Sequence, residues 1–220
     1  MSKTDPYKIV VLASGRGSNF EAIAKAIEDN NWNIEISLLV SDKSDAGALE
    51  IAKRNNIPYK IVEKGEKKKK AFFSDLKAVV LEASPEIIVL AGFMRLLNPE
   101  FISEFRHRII NIHPSLLPSF KGLNAQSQAL EAGVHFAGCT VHLVDEDVDS
   151  GAILAQAVVP VLSKDKSSDL EKRILKQEHL LLPKVIHMLA SGGIEISSSG
   201  KVDFTNSREV NIDSNLVSVS

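Results

Sequence analysis

The chain lacks the features that mark secreted and membrane proteins. Among its 220 residues there is one cysteine, Cys139, so no disulfide can form within the chain and a reducing compartment is expected. The first apolar run covers only about seven residues before Gly15 and Arg16 interrupt it, which is too short for a secretory leader or a membrane span. These absences predict a cytoplasmic protein with no membrane partner.

An excess of either charge is also absent. Lysine and arginine number 26, aspartate and glutamate number 28, and the net charge is -2. A protein that wraps a polyanion needs a basic excess, so we expect no nucleic-acid partner. The lysine run at residues 67–70 has no interleaved aromatic side chains for base stacking, and we interpret it as a solvated helix start.

The first part of the hydrophobic pattern alternates between strands and helices. Continuous apolar runs predict buried strands of a parallel sheet at residues 8–14, 34–40, 59–62 and 86–91. Between these strands, apolar residues recur at helical spacing and predict helices at residues 18–29, 46–54 and 71–81. This rhythm predicts an α/β fold with a doubly wound, mostly parallel sheet.

The pattern changes after residue 105. A short strand at 108–112 and a helix at 124–132 precede two strands, 140–144 and 153–160, which an acidic loop joins into an antiparallel extension of the sheet. A long helix follows at 168–189, and Pro183 is expected to kink or break it. Short strands around Ile194 and Val202 predict a small hairpin.

A glycine-rich turn at residues 14–19 joins the first predicted strand to the first helix. Backbone N–H groups at such a helix start, together with the helix dipole, bind anions. Phe20 replaces the third glycine of the dinucleotide fingerprint, whereas Ser18 and Asn19 offer donors suited to a terminal phosphate. The turn alone leaves two interpretations open, a phosphate site and a structural turn in which Ser18 caps its own helix.

Asn111 and His113 lie on one side of a predicted strand end, because side chains alternate along a strand. An amide and an imidazole together can stabilise a developing oxyanion, and the imidazole can also carry a proton. The acidic loop after residue 144 could supply a carboxylate that orients His113, and we choose Asp149 because a tight turn follows it. The alternative is structural: a satisfied core histidine, a turn asparagine and a solvated loop.

The remaining reactive side chains show no site pattern. Cys139 lies in a predicted strand and is interpreted as a small buried residue rather than a nucleophile. The other histidines, His142 among them, have neither metal-ligand spacing nor an H-E-x-x-H motif, so no metal is predicted.

Four segments taken together give a specific resemblance. They are ASGRGSN at 13–19, LAGFMR at 90–95, NIHPSLLP at 111–118, and the stretch from GCTVH at 138–142 to DSG at 149–151. In this order they resemble the phosphoribosylglycinamide formyltransferase family, the folate-dependent enzymes of purine synthesis, from about residue 8 to residue 183. The third and fourth segments are shared with the wider formyltransferase superfamily. The glycine turn is the segment that narrows the resemblance to the phosphoribosylglycinamide formyltransferase family.

The resemblance implies direct transfer of a formyl group from 10-formyltetrahydrofolate, a co-substrate, to the amine of glycinamide ribonucleotide in de novo purine (IMP) biosynthesis. It implies that Asn111 and protonated His113 stabilise the oxyanion of a tetrahedral intermediate and that His113 donates a proton toward the leaving folate nitrogen. Asp149 would support the charged His113 and help order a water that relays protons.

The resemblance also implies a Rossmann-like formyltransferase fold in a single domain over residues 1–220. Its phosphate-binding half would cover about 8–105, its folate and catalytic half about 106–204, and a polar tail about 205–220. The partners would be the two small-molecule substrates, and the chain would be a monomer or a homodimer.

Binding residues carry over from the family by position. The substrate phosphate and ribose would contact Gly17, Ser18, Asn19, Lys176, Gln177 and Glu178. Folate would contact Lys69, Met94, Arg95, Leu96, Leu97, Asn111, Asp145, Glu146, Asp147, Val148 and Asp149.

The chain departs from the family pattern at three places. Leu175 stands where relatives can place a glutamine that reaches the substrate. Lys69 stands where the folate tail can meet an arginine, so recognition there would be a looser point charge. The loop at 119–124 lacks a histidine often found in relatives.

Other activities remain as alternatives. A formyltetrahydrofolate deformylase shares the Asn, His and Asp set but hydrolyses the formyl group. It fits less well, because that family carries an extra N-terminal regulatory domain and needs no phosphate turn. A methionyl-tRNA formyltransferase would need a tRNA-binding domain after residue 183, which we do not expect. A dinucleotide-binding oxidoreductase would depend on Gly15, Gly17 and an acidic residue such as Asp42.

Overall fold

The computed structural model describes residues 5–205 and 216–217, which belong to two compact units. The first unit ends at Ile110 and the second begins at Asn111. The predicted polar tail at 205–220 falls almost entirely outside the described residues. The expectation of a single domain stays a prediction.

The first unit is a parallel sheet with helices between its strands. Its strands β1 to β4 are Tyr7–Leu12, Ile34–Ser41, Tyr59–Ile61 and Ile87–Leu90. Its helices α1 to α4 are Ser18–Asp29, Gly47–Arg54, Lys69–Ala83 and Pro99–Glu104. The strand order is β3-β2-β1-β4 and each neighbouring pair is parallel.

Strand β1 lies at the centre of this unit. Four consecutive residues, Ile9 to Leu12, have no exposed surface, so both faces of the strand are covered. Helix α1 adds Phe20 and Ile23, which are equally buried. Each such side chain contributes about 1.5–3 kcal/mol of burial free energy. The buried strand and helix therefore hold the glycine turn between them firmly at the carboxyl end of the sheet.

The second unit contains an antiparallel pair of long strands. The strand β5, Ile109–His113, crosses the boundary between the units in sequence, and the second unit contains β6 to β10, which are Phe136–Leu143, Ile153–Pro160, Ile194–Ile196, Val202–Phe204 and Leu216–Val217. Its helices α5 and α6 are Ala125–Glu131 and Ser167–Ser191. Strand β6 has β5 and β7 as neighbours, and it runs antiparallel to β7. The strands β8 and β9 form a separate antiparallel sheet.

The predicted fold class is confirmed: parallel strands alternate with helices first, and an antiparallel pair and a small hairpin follow. Helix α4 was not predicted. Its signal is local, because the Asn98 side chain accepts a hydrogen bond from the Phe101 backbone N–H and Pro99 occupies the first helical turn.

Of the kink or break expected at Pro183, the break is wrong, because α6 continues through it to Ser191, and the kink stays a prediction. Interior proline costs about 3 kcal/mol through its missing N–H and its ring. The apolar residues around it, Leu181, Leu182, Val185 and Ile186, are all buried. Their burial, at about 1.5–3 kcal/mol each, outweighs the cost of the proline.

Candidate active site

Strand β5 places two polar side chains at its carboxyl end. Asn111 is half-buried and His113 is 5% exposed, while Ile112 between them is buried as well. A strand sends alternate side chains to opposite faces, so the asparagine and the histidine share one face. This is the arrangement that the sequence predicts.

Asp149 lies against His113. Its Oδ2 atom is 3.3 Å from His113 Nδ1, and the same oxygen accepts a hydrogen bond of 2.9 Å from the Gly122 backbone N–H. The aspartate backbone has φ of 49°, in the left-handed region. Of the residues 145–149, only Asp149 is not classed as exposed. The structure therefore brings His113 and Asp149 together, and the other carboxylates of the loop face water.

The second nitrogen of His113 contacts the chain itself. Its Nε2 atom lies 3.0 Å from the Phe120 backbone carbonyl oxygen. A carbonyl oxygen only accepts, so Nε2 carries a proton and donates in this conformation. Because Nδ1 faces the Asp149 carboxylate, both ring nitrogens of His113 face hydrogen-bond acceptors.

His142, on β6, completes the cluster, and the sequence argument missed it. Its Nε2 atom lies 3.1 Å from Asn111 Nδ2 and 3.6 Å from Asp149 Oδ1. Its Nδ1 atom donates to the Leu143 carbonyl oxygen at 2.7 Å. Burial lowers the pKa of this histidine below its ordinary value of 6.5. The sequence signal that could have indicated His142 is its position near the end of β6, just before the acidic loop that carries Asp149.

A buried hydroxyl fixes the loop that follows His113. The Thr140 Oγ1–H donates to the Ser115 carbonyl oxygen at 2.6 Å, and the oxygen accepts from the Leu117 backbone N–H at 3.0 Å. The Gln156 side-chain amide donates both to this hydroxyl and to the Leu117 carbonyl oxygen, each at 3.0 Å. Strands β6 and β7 therefore anchor the loop backbone through polar side chains.

The first unit holds the glycine turn. Gly17 is the N-cap of α1 with φ of 81°, and no side-chain cap bond occurs there within residues 5–205. A Cβ atom at Gly17 would lie 2.7 Å from the Ala48 Cα atom. Only glycine combines a positive φ at low cost with the absence of a Cβ atom that would clash with Ala48. Ser18 does not cap its own helix, which leaves the backbone N–H groups of the first turn directed out of the helix start.

The turn is tied to the loop after β4. The Ser14 backbone N–H donates to the Gly92 carbonyl oxygen at 3.1 Å, and the Ser14 hydroxyl accepts from the Met94 backbone N–H at 3.0 Å. Ser14 therefore connects the glycine turn, which is predicted to bind phosphate, with the residues from Met94 onward, which are predicted to bind folate.

Asp42 is buried and forms an ion pair with the partly exposed Arg95. The Arg95 Nε atom is 2.5 Å from Asp42 Oδ2, and the guanidinium also lies over the Phe72 ring, 5.1 Å from its centroid. The aspartate side chain is 2% exposed. A ribose-binding acid of a dinucleotide site must be accessible at the strand end, so this pairing counts against the oxidoreductase interpretation.

The predicted folate residues differ in exposure. Met94 is 67% and Leu96 is 66% exposed, while Leu97 is half-buried. Exposed apolar side chains that lie together often mark a binding surface. Lys69 begins α3, and its Nζ atom lies 5.9 Å from the Phe73 ring centroid. These assignments stay predictions.

Helix α6 carries the three residues predicted for the ribose. Lys176 is exposed, Gln177 is half-buried and Glu178 is buried. The Glu178 carboxylate adds to burial in raising the pKa of the Cys139 thiol. Cys139 has no exposed surface, so its predicted burial is confirmed.

The described part of the chain contains neither a metal-ligand cluster nor a membrane-spanning helix. Over residues 5–205 and 216–217, no three or more His, Cys, Asp or Glu side chains are grouped to hold a metal ion. Across that same part of the chain, no helix is long and apolar enough to cross a membrane.

The fold and the cluster define an α/β protein in which histidine, aspartate and asparagine side chains meet at a strand end. A family model described as formyl transferase matches residues 7–186, and the chain belongs to that family. The phosphoribosylglycinamide formyltransferase of Bacillus subtilis is 43% identical over 183 residues, which is 83% of this chain and 94% of that protein. The human trifunctional purine biosynthetic protein adenosine-3 is 41% identical over 89% of this chain. The chain spans 19% of the human protein's length.

Solved structures agree with this family. The phosphoribosylglycinamide formyltransferase of Anaplasma phagocytophilum has a TM-score of 0.85 and 42% identity, covering 93% of this chain and 97% of its own. A formyltetrahydrofolate deformylase from Pseudomonas syringae has a TM-score of 0.84 but 25% identity, covering 91% of this chain and 66% of its own. The fold is common to both activities, and the sequence is more similar to the transferase.

Proposed function

We propose that the protein transfers a formyl group from 10-formyltetrahydrofolate to the amine of glycinamide ribonucleotide in purine biosynthesis. The observation that carries this proposal is the buried contact between His113 and Asp149, with Asn111 on the same face of β5. Such a set supplies a proton and an amide donor to an oxygen that gains charge. The formyl transferase family and the full-length bacterial relatives supply the substrate class.

His113 is the proposed acid. Its Nδ1 faces the Asp149 carboxylate, so Nε2 is the nitrogen left for substrate. In this conformation Nε2 donates to the Phe120 carbonyl oxygen. The formyl oxygen or the folate nitrogen must therefore replace that carbonyl before the reaction.

Asn111 is the proposed oxyanion donor. Its Nδ2 atom carries two N–H groups, and one of them points to His142. The second N–H remains for the formyl oxygen. Removing a single oxyanion donor commonly costs about 10²–10³ in kcat.

The reaction then proceeds without a covalent enzyme intermediate. The amine lone pair of the ribonucleotide forms the new C–N bond, and the carbonyl electrons move onto the formyl oxygen. When the intermediate collapses, the bond to the folate nitrogen breaks and protonated His113 donates its proton to that nitrogen. The attacking amine loses a proton, which passes through water ordered by Asp149 to His113 and restores the protonated ring. Cys139 takes no part, since burial raises the pKa of its thiol.

Binding is assigned to the residues that the family pattern matches. Gly17, Ser18 and Asn19 would hold the phosphate through backbone N–H groups at the start of α1. Lys176, Gln177 and Glu178 would contact the ribose. The Gln177 Oε1 atom suits a sugar hydroxyl, because it is buried and accepts no hydrogen bond from the described residues.

The family pattern assigns the pterin to Met94 and Leu96, which are exposed in the first unit, and to the backbone of residues 145–149 in the second unit. Lys69 would meet the folate tail as a point charge. A cytoplasmic location and a monomeric or homodimeric state belong to the same proposal.

The decisive experiment measures tetrahydrofolate formation from 10-formyltetrahydrofolate with and without glycinamide ribonucleotide. Turnover that requires the ribonucleotide supports the transferase. Equal turnover in both would make water the acceptor and favour the deformylase. His113→Ala should remove the activity, whereas the matched change at an exposed histidine, His135→Ala, should keep it. No turnover in the unaltered protein would overturn the proposal.

A further inference from the structure

His142 has a defined protonation state because of its two neighbours. Its side chain is 2% exposed. Its Nδ1 atom meets the Leu143 carbonyl oxygen at 2.7 Å, and a carbonyl only accepts, so Nδ1 carries the hydrogen. Burial lowers the pKa of the ring, so the Nδ1 hydrogen is its single N–H, and Nε2, 3.1 Å from the Asn111 side-chain amide, presents a lone pair. The ring is therefore neutral, with its hydrogen on Nδ1.

This tautomer decides which way the Asn111 amide points. The two ends of an asparagine amide have similar shapes, and the hydrogen-bond network selects between them. An acceptor at His142 Nε2 selects the orientation in which Nδ2 faces the histidine. The second N–H of that nitrogen then stays available to a substrate oxygen.

A proton on His142 Nε2 would favour the opposite orientation of the Asn111 amide. The protonated ring would require an acceptor, and the amide would turn so that its oxygen faces His142. A substrate oxyanion would then meet a lone pair of the asparagine oxygen in place of an N–H group. Repulsion would replace the stabilising hydrogen bond.

We propose that His142 is a positioning residue that keeps the Asn111 amide in its donating orientation, and that protonation of His142 switches the donor off. The inference rests on the proposed function, because it assigns Asn111 to the oxyanion. His142 itself need not touch substrate. It acts through a hydrogen bond between neighbouring strands, β5 and β6.

The charges around His142 determine the pH range in which its ring becomes protonated. Asp149 Oδ1, at 3.6 Å from Nε2, favours the protonated ring, and the hydrogen bond to Leu143 does so as well. His113 and Lys121 oppose protonation, and burial opposes it most. The net result lowers the pKa of His142 below 6.5, so the donating orientation prevails at neutral pH.

The kinetic test compares two substitutions. His142→Leu removes the acceptor, and we expect kcat to fall at least tenfold while the KM for the ribonucleotide changes less than twofold. His142→Gln places a carbonyl oxygen near the Nε2 position and should recover much of kcat. Because glutamine does not titrate, the acid-side fall of kcat caused by His142 should disappear in that variant. The exposed His135→Gln is the matched control and should keep both the rate and the pH profile.

A spectroscopic test does not depend on activity or on whether a variant folds. Nitrogen-15 NMR of the unaltered protein at pH 7 should show His142 protonated at Nδ1 and unprotonated at Nε2. The opposite tautomer, or a doubly protonated ring, would overturn the proposal. So would a leucine variant with the original kcat. If the unaltered protein transfers no formyl group, the proposed function fails and this inference fails with it, whereas a correct tautomer with an unaffected kcat refutes the inference alone.

Discussion

Replacing Asp149 by asparagine tests the charge on which the site depends. Asparagine keeps the size of the side chain and tolerates the left-handed backbone at this position, where φ is 49°. Its carbonyl oxygen can still accept from the Gly122 N–H, which donates to the aspartate at 2.9 Å. What disappears is the negative charge 3.3 Å from His113 Nδ1.

The expected effect on the rate follows from that distance. At 3.3 Å and an effective dielectric constant of about 20, two unit charges attract by about 5 kcal/mol. The amide dipole of asparagine recovers part of this, so we take a loss of about 4 kcal/mol for the protonated histidine of the transition state. At 1.36 kcal/mol per factor of ten, kcat should fall roughly a thousandfold.

The assay is the initial rate of tetrahydrofolate formation at saturating concentrations of both substrates, with urea unfolding to verify the fold. The same change at an exposed aspartate near the end of α1, Asp29→Asn, should leave kcat unaltered. A folded Asp149→Asn protein whose kcat stays within tenfold of the original would refute the role of the charge.

Three further predictions concern binding and stability. Gly17→Ala should raise the KM for the ribonucleotide at least tenfold, because its Cβ would lie 2.7 Å from the Ala48 Cα atom and its φ is 81°; an unchanged KM would remove the turn from the phosphate site. Thr140→Val should lower the free energy of unfolding by about 2–3 kcal/mol in urea titration, because the Leu117 N–H loses its buried acceptor. An unaltered urea midpoint would contradict this. Burial lowers the pKa of His142, so the unfolded chain binds the proton more readily; stability should therefore fall as pH drops below about 6.5, and less steeply in His142→Gln.

The strands and part of the site follow from local sequence. Continuous apolar runs such as Ile9 to Leu12 can only be satisfied by burial on both faces, which is why the parallel strands were predictable. Alternation alone put Asn111 and His113 on one face of a strand. Asp149 was predicted from the tight turn that follows it, and its contact with His113 agrees.

Other features depended on contacts between distant residues. The Arg95 and Asp42 pair joins positions 53 apart, and no local pattern announces it. Helix α6 continues through Pro183 because its buried neighbours outweigh the local preference to break. The sequence pattern contains the proline but not the packing that overrides it.

The sequence by itself determined the order of strands and helices, the glycine turn and the pair of polar residues at the end of β5, because each depends on spacing within a few residues. The tertiary structure decided the hydrogen-bond partners and the orientation of the polar side chains at the site. Asn111 and His142 are 31 positions apart, and only the pairing of β5 with β6 brings the amide to the imidazole. Protonation, tautomer and amide orientation depend on burial and on neighbours in space, which spacing along the chain does not specify.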